Sequence, residues 1–571
     1  MNKRALLSLA LSFGLVGSAF MYAKPKDVKN VIVMIPDGTS TSVLSISRWY
    51  KQAPLAVDKY LSGLVTTHCS DAPIGDSAPT GATYATGVLA RTGNIAIYPE
   101  ATPNDLVKVD PSKTYQPAFT LLEAAKIKGK ATGLVFTCQL PHATPADFAS
   151  HGVSRGEADR LAKQMVYNGV DVVFGGGWQY LDPKVREDGE NLYSVLQEKG
   201  IGLISNKSQF ENIGKNTNRV WGLFAPDALP FEDERVDSVP SIAAMTAKAI
   251  DMLSKDKDGF FLMVEGSKVD WAAHANDTKG VITEYLAFDD AVKVAMDFAE
   301  KNGNTVVVVM PDHGNGGISL GNKNSNGAYS KTPYNTIFEP FRKIRVSQAM
   351  ASAISKTMKY ADYVALLQDE FGVTLRGDEG LYEPFNDAQK ALALRDAVDY
   401  SANMLKYEGK ISKALGKVGS VLISVVNRDN YIGWTTSGHE GEDVFLANYS
   451  PAEQLRGVVK NSEVNHYLQR VSDIKGLDKK SDEYFVRHDQ LFKGYDYQIG
   501  GANEKYPELT VTNPKNGKTL KVEAFKDFYY LNGKRMPLQK KGDATTTIAG
   551  YTEAKNHKAF YLPVYLVDVI K

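Results

Sequence analysis

Acids and histidines recur in this chain where an apolar run gives out. Val31-Ile32-Val33-Met34-Ile35-Pro36 ends in Asp37-Gly38, and Phe260-Phe261-Leu262-Met263-Val264 ends in Glu265-Gly266. Val306-Val307-Val308-Val309-Met310-Pro311 ends in Asp312-His313-Gly314. Buried carboxylates are costly unless paired or metal-bound. One such strand end could be chance, but three point to a site. Asp270 and His274 lie four apart just beyond the Glu265 run, which on a helix puts both on one face and suits two ligands of one zinc. Taken alone, that spacing is equally that of a surface ion pair. His439, set among glycines and acids, gains weight as a ligand only from the rest of the set.

A hydroxyl stands out against these groups. Ser77 follows Asp76 and opens Ala78-Pro79-Thr80-Gly81-Ala82-Thr83, a run of small residues that lets the backbone approach a ligand closely. Serine needs a base, a metal or a lowered pKa to act as a nucleophile. For the dipeptide alone a helix cap is the commoner role. A helix starting at Ser77 would also aim N–H groups at an anion. Thr144 in His142-Ala143-Thr144-Pro145-Ala146 adds a second hydroxyl, and Arg155 adds a planar fork suited to phosphate. Carboxylate with imidazole favours zinc, and carboxylate with hydroxyl and water favours magnesium.

The elements that must hold these groups read as α/β. The three acid-ending runs are buried parallel strands whose ligands gather at the carboxyl ends. Helices are predicted at Ala118 to Lys128 and Ile242 to Leu253, and a further helical segment is expected to carry His151 and Arg155. Asp171 to Gly177 reads as a strand and a tight structural turn, since no lysine follows where a phosphate loop needs one. The expected order is a catalytic core over 24–324, a helical insertion over 325–429, a return of the core over 430–476 and a β-rich appendage over 477–571. Within the insertion, Ser347 to Leu367 and Asp387 to Tyr407 look like amphipathic helices that could line the substrate entrance or form a subunit contact, so a homodimer is compatible with it. Asn516-Gly517 and Asn532-Gly533 are hairpin signals in the appendage.

With 571 residues the chain exceeds one simple core, and 66 basic residues balance 66 acidic ones. That balance disfavours nucleic acid or an acidic membrane as a partner. Lys3 and Arg4 precede an apolar run to about Ala23, the layout of a signal peptide over 1–23, so an exported, periplasmic or extracellular protein is expected. No later run approaches spanning length, so no stable membrane span is expected after cleavage. Whether Cys69 and Cys138 pair is not legible in their spacing.

Taken together, the chain resembles the alkaline phosphatases. The resemblance rests on Pro36-Asp37-Gly38, Asp76-Ser77-Ala78-Pro79-Thr80-Gly81-Ala82-Thr83 and His142-Ala143-Thr144-Pro145-Ala146. It continues through Ser154-Arg155, Val264-Glu265-Gly266 with Asp270 and His274, Asp312-His313-Gly314 and Gly438-His439, covering roughly residues 28 to 475. It implies a central, mostly parallel sheet flanked by helices, and hydrolysis of small phosphate monoesters through a phosphoserine on Ser77. By resemblance Asp270, His274 and His439 bind one zinc, while Asp37, Asp312 and His313 bind a second that also contacts Ser77. Asp37, Thr144 and Glu265 bind a third ion, usually magnesium. Arg155 holds the phosphoryl oxygens and Asp76 steadies it. His142 and Trp271 stand by the phosphate and third-ion sites where the best-known bacterial pattern has an acid and a lysine, and an imidazole there favours zinc. A phosphodiesterase with the same metal core is the nearest rival, and an exported binding protein on an inactive scaffold a more distant one.

Overall fold

The computed structural model describes residues 28–343, 427, 430–501 and 504–571. The 1–23 leader and the two helices expected between 347 and 407 lie outside the described residues.

Fourteen strands build and border the part of the fold that carries the site. They are β1 (Asn30–Pro36), β2 (Leu61–Thr66), β3 (Ala131–Gln139), β4 (Val172–Gly176), β5 (Gly202–Ile204), β6 (Val220–Leu223) and β7 (Phe260–Gly266). They continue with β8 (Thr305–Val309), β9 (Gly314–Asn315), β10 (Ser319–Leu320), β11 (Ile432–Gly433), β12 (His439–Glu440), β13 (Val444–Tyr449) and β14 (Gly457–Lys460). Ten form one sheet in the order β14-β2-β13-β8-β1-β7-β3-β4-β6-β5. Within it β13 runs antiparallel to both of its neighbours, and the other pairings are parallel.

The central strands are apolar along their whole length because both faces are covered. Val31, Val33 and Ile35 of β1 enter one core, while Ile32 and Met34 enter the other. The same alternation divides Val306 and Val308 from Val307 and Val309, and Phe261 and Met263 from Phe260, Leu262 and Val264. With period two along a strand, such a run has no polar side to show to water. Each fully buried aliphatic side chain contributes about 1.5–3 kcal/mol. This holds the four middle strands, β8-β1-β7-β3, in fixed register, with Ile35 beside Glu265 and Phe136 beside Glu265.

Helices form where expected at Leu121–Ile127, capped by Thr120 and Glu123, and at Ile242–Leu253. The helical segment expected to carry His151 and Arg155 is not there. The helix over Ala143–Ala149 ends at an extended Ser150, and the next begins at Ala158. The intervening loop pairs its backbone with another segment instead. Ile95 and Gly152 exchange N–H···O bonds at 2.9 Å, and the Arg155 N–H donates to Gly93 O at 2.8 Å. Gly152 and Gly156 weaken a helix here, and the ladder satisfies the same donors.

The C-terminal region is β-rich. A five-stranded antiparallel sheet spans Asp496–Gly500 to Lys534–Pro537, and a three-stranded one joins Val486–Arg487, His557–Leu562 and Gly550–Ala554. Asn532 and Gly533, both with positive φ, make the two-residue turn of one hairpin. Leu509, Val511, Leu520 and Val522 share a core of their own, whereas Tyr484, Phe485, Ile548 and Tyr561 pack into the main one.

Candidate active site

The carboxyl ends of β8, β1, β7 and β3 deliver Asp312-His313, Asp37, Glu265 and the segment to His142 and Thr144 at one edge of the sheet. Asp270 and His274 follow β7 on the Lys268–His274 helix. His439 enters on β12, which pairs antiparallel with β9 directly after His313. Gly38, at φ +61°, lets β1 turn under Asp270, where an added Cβ would stand 2.3 Å from Asp270 Oδ1. Its N–H donates to Asp312 Oδ1 at 3.0 Å.

Ser77 is the first residue of the Ser77–Thr86 helix and is almost fully buried. Tyr84 of this helix donates to Pro311 O at 2.8 Å, tying it to the end of β8. Ser77 Oγ lies 3.3 Å from Asp37 Oδ1 and 3.3 Å from His313 Nε2. Asp76 occupies the cap position but makes no side-chain cap. It pairs with the Arg155 guanidinium instead, so the first N–H groups of the helix stay open to an anion. Arg155 Nη2 also reaches His142 Nε2 at 3.2 Å, and Trp271 meets the His142 ring edge-on at 6.1 Å between centroids.

Three imidazoles are fixed in one tautomer by carbonyls, which can only accept. Nδ1 of His274 donates to Ser437 O at 2.7 Å, that of His439 to Gly75 O at 2.8 Å and that of His313 to Gly314 O at 3.1 Å. Their Nε2 lone pairs therefore face inward. His274 and His439 bring these atoms to 3.1 Å of each other, with Asp270 Oδ2 3.4 Å and Oδ1 3.6 Å away. Two lone pairs that close repel unless a cation stands between them. Asn315 fixes Asp270, donating to its Oδ1 at 2.7 Å. Asp37, Asp312 and His313 form a second donor set, with His313 Nε2 3.5 Å from Asp37 Oδ1 and 3.4 Å from Asp312 Oδ2. His313 also joins Asp270 and His439 in a group of donors, so the two sets adjoin.

The electrostatics call for cations. Asp37 is wholly buried, and burial, followed by the charges of Asp312, Asp270 and Glu265, pushes its carboxyl well above the usual range. Burial alone does most of the work of lifting Glu265 to about 7. Asp312 Oδ2, Glu265 Oε1, Thr144 Oγ1 and His142 Nδ1 are buried without a hydrogen-bond partner. Unsatisfied oxygen and nitrogen donors around repelling carboxylates fit divalent metal ions. Burial, then Arg155, lowers His142 to about 4, so its imidazole is neutral and able to ligate.

Two contributors escaped the sequence reading. Asn315 adjoins Asp312-His313 and carries no titratable group, so nothing marked it. Cys138 donates its thiol to Glu265 Oε2 at 3.3 Å, and both cysteines are free. Parity along β3 and β7 carried the signal, because Cys138 and Glu265 fall on the same face as Leu134 and Met263.

A buried serine at a helix N-terminus, an arginine opposite it and clustered acid and imidazole donors define a metal-dependent hydrolase of phosphate esters. A sequence profile of the alkaline phosphatase family matches residues 28–474. Alkaline phosphatase 3 of Bacillus subtilis (strain 168) is 36% identical, over 80% of this chain and 92% of its own length. The chain belongs to the alkaline phosphatase family, whose members hydrolyse phosphomonoesters. A cold-active alkaline phosphatase from the psychrophile Shewanella sp. superposes with a TM-score of 0.61 at 27% identity, covering 76% of this chain and 98% of that one. The Thermus thermophilus enzyme, at 24% identity, shares the fold with a TM-score of 0.64 over 83% of this chain and 96% of its own. The family match stops at residue 474, ahead of the C-terminal sheets.

Proposed function

We propose that the chain cleaves small phosphate monoesters with Ser77 as nucleophile and Arg155 as phosphate clamp. The observation that carries this reading is Ser77 Oγ lying 3.3 Å from both Asp37 and His313 at an open helix N-terminus. A bond forms from Ser77 Oγ to phosphorus as the bond to the departing oxygen breaks, and the serine proton leaves to solvent while the departing oxygen takes one up to become the alcohol. Water then cleaves the Ser77 phosphoester, releasing phosphate. Arg155 presents N–H groups to two non-bridging oxygens while the metal ions would take the third, so a diester, which has only two, leaves one of these contacts unmade. Asp76 holds the guanidinium in place, and Trp271 and His142 close the same side.

Asp270, His274 and His439 would hold one zinc, and Asp37, Asp312 and His313 a second. Asp37, Thr144 and Glu265 would hold a third ion, magnesium or zinc. When bound, such ions lower the pKa of the serine hydroxyl and stabilise the charge on the departing oxygen. The protein's share is placement: Gly38 and Asn315 set Asp270, while backbone carbonyls set the three imidazoles. Export follows from the N-terminal charge and apolar pattern, and among the described residues no helix is long and apolar enough to cross a membrane.

Acid quenching of turnover with labelled substrate, followed by peptide mapping, should place phosphate on Ser77. Ser77→Ala should lose the label and the turnover together. Turnover retained in Ser77→Ala would overturn the covalent route.

A further inference from the structure

We propose that Cys138 is a thiolate ligand of the third metal site, making it a zinc-type site of sulfur, imidazole and carboxylate. This rests on the metal-dependent reading above and goes beyond it, because it adds a soft sulfur ligand, with His142, to a site read there from the oxygen donors of Asp37, Thr144 and Glu265. Cys138, His142 and Glu265 bring one donor atom each within 4.8 Å of one another, and all three are buried. Cys138 Sγ lies 3.3 Å from Glu265 Oε2, and His142 Nδ1 lies 3.7 Å from Glu265 Oε1. Tetrahedral zinc, with bonds of about 2.0–2.3 Å, sets its ligand atoms about 3.3–3.8 Å apart. The two separations, each to a different oxygen of Glu265, fall within that range.

Three features show that the cluster is aimed inward. His142 Nδ1 and Glu265 Oε1 have no hydrogen-bond partner, and neither has the neighbouring Thr144 Oγ1. The end of β3 is pinned to the end of β7 by Ser267, whose Oγ accepts from the N–H groups of Thr137 and Cys138 at 3.2 and 3.1 Å. On its other side the ladder of β3 with β4 shifts register between Val135 and Gln139, an irregularity of the kind common near active sites. Cys138 is therefore held against Glu265 by backbone, not by chance packing.

The chemistry balances simply. The metal–sulfur bond replaces the S–H bond, and the thiol proton leaves to solvent. Coordination through His142 Nδ1 moves the imidazole proton to Nε2. The contact between Nε2 and Arg155 is then given up, while the guanidinium keeps Asp76. Magnesium demands near-octahedral oxygen ligands, so sulfur and imidazole select zinc or cobalt instead.

The test uses the full chain, stripped with chelator and titrated with cobalt(II), alongside Cys138→Ser and Cys69→Ser. A sulfur-to-cobalt charge-transfer band in the near ultraviolet is expected in the unmodified chain and in Cys69→Ser. Cys138→Ser should lack the band and, after loading with zinc, hold one ion per chain fewer by elemental analysis. Absence of the band from the unmodified chain, or its persistence in Cys138→Ser, would overturn the assignment. Phosphate labelling of Ser77 is measured on the same preparations. A labelled Ser77 without the band rejects the sulfur ligand alone, whereas an unlabelled Ser77 rejects the phosphatase mechanism whatever the spectrum shows.

Discussion

Stripped of metal, the protein should become more stable when Glu265 is replaced by glutamine, and the gain should grow with pH. Glu265 is wholly buried, and burial lifts its carboxyl from 4.5 to about 7. A carboxyl raised in the folded state contributes stability in full below its unfolded value and loses that contribution as pH climbs through the folded one. The window therefore runs from about 4.5 to 7, and above it the penalty is complete. At about 1.4 kcal/mol for each tenfold in the proton equilibrium, the rise makes about 3 kcal/mol of destabilisation near pH 8. Asp37, held up by burial and by Asp312, acts in the same sense. Glutamine removes the charge but leaves an amide beside Cys138 and Thr144, costing about 1 kcal/mol. The expected net gain is about 2 kcal/mol near pH 8 and none near pH 5, read from urea denaturation of the chelated chain and variant. Restoring zinc and magnesium should reverse the order, because the variant has lost a ligand. A chelated Glu265→Gln chain no more stable near pH 8 than near pH 5, each relative to wild type, would refute the claim that cations offset this buried charge.

Gly38→Ala places a Cβ 2.3 Å from Asp270 Oδ1 at a φ of +61°. Left-handed backbone costs alanine about 1–2 kcal/mol, and Asp270 must also move. Elemental analysis should find zinc reduced and activity lost, with wild-type metal content as the contrary result. Arg155→Ala removes a charged pair of hydrogen bonds worth about 1.5–3 kcal/mol, so inhibition by phosphate should weaken roughly 10- to 100-fold. Turnover of p-nitrophenyl phosphate should fall more than that of its bis-ester. An equal fall on both would show that Arg155 does not select monoesters.

Much of this site could be read one segment at a time. An apolar run ending in an acid and a glycine is a local pattern, and Asp37, Glu265 and Asp312 were each visible in it. The four-residue step from Asp270 to His274 depends only on helix geometry. The expectation for Arg155 failed because local propensity lost to long-range pairing: the 150–157 loop ladders onto residues 93–95, outside any local window. Asn516-Gly517 and Asn532-Gly533 were legible as hairpins, since turn chemistry is local too.

By itself the sequence determined the strands, their acid ends, the serine at a helix start and the family resemblance, because each rests on short-range spacing. Tertiary structure alone decided which strands are neighbours, and the order β8-β1-β7-β3 is what turns separate acids into a cluster. It also decided that Asp76 pairs with Arg155 instead of capping the Ser77 helix, and that carbonyls of Ser437, Gly75 and Gly314 fix three imidazoles. Cys138 and Glu265 meet across 127 residues of chain. Such contacts are set by register and parity in a sheet buried on both faces, where a shift of one residue would turn either side chain away.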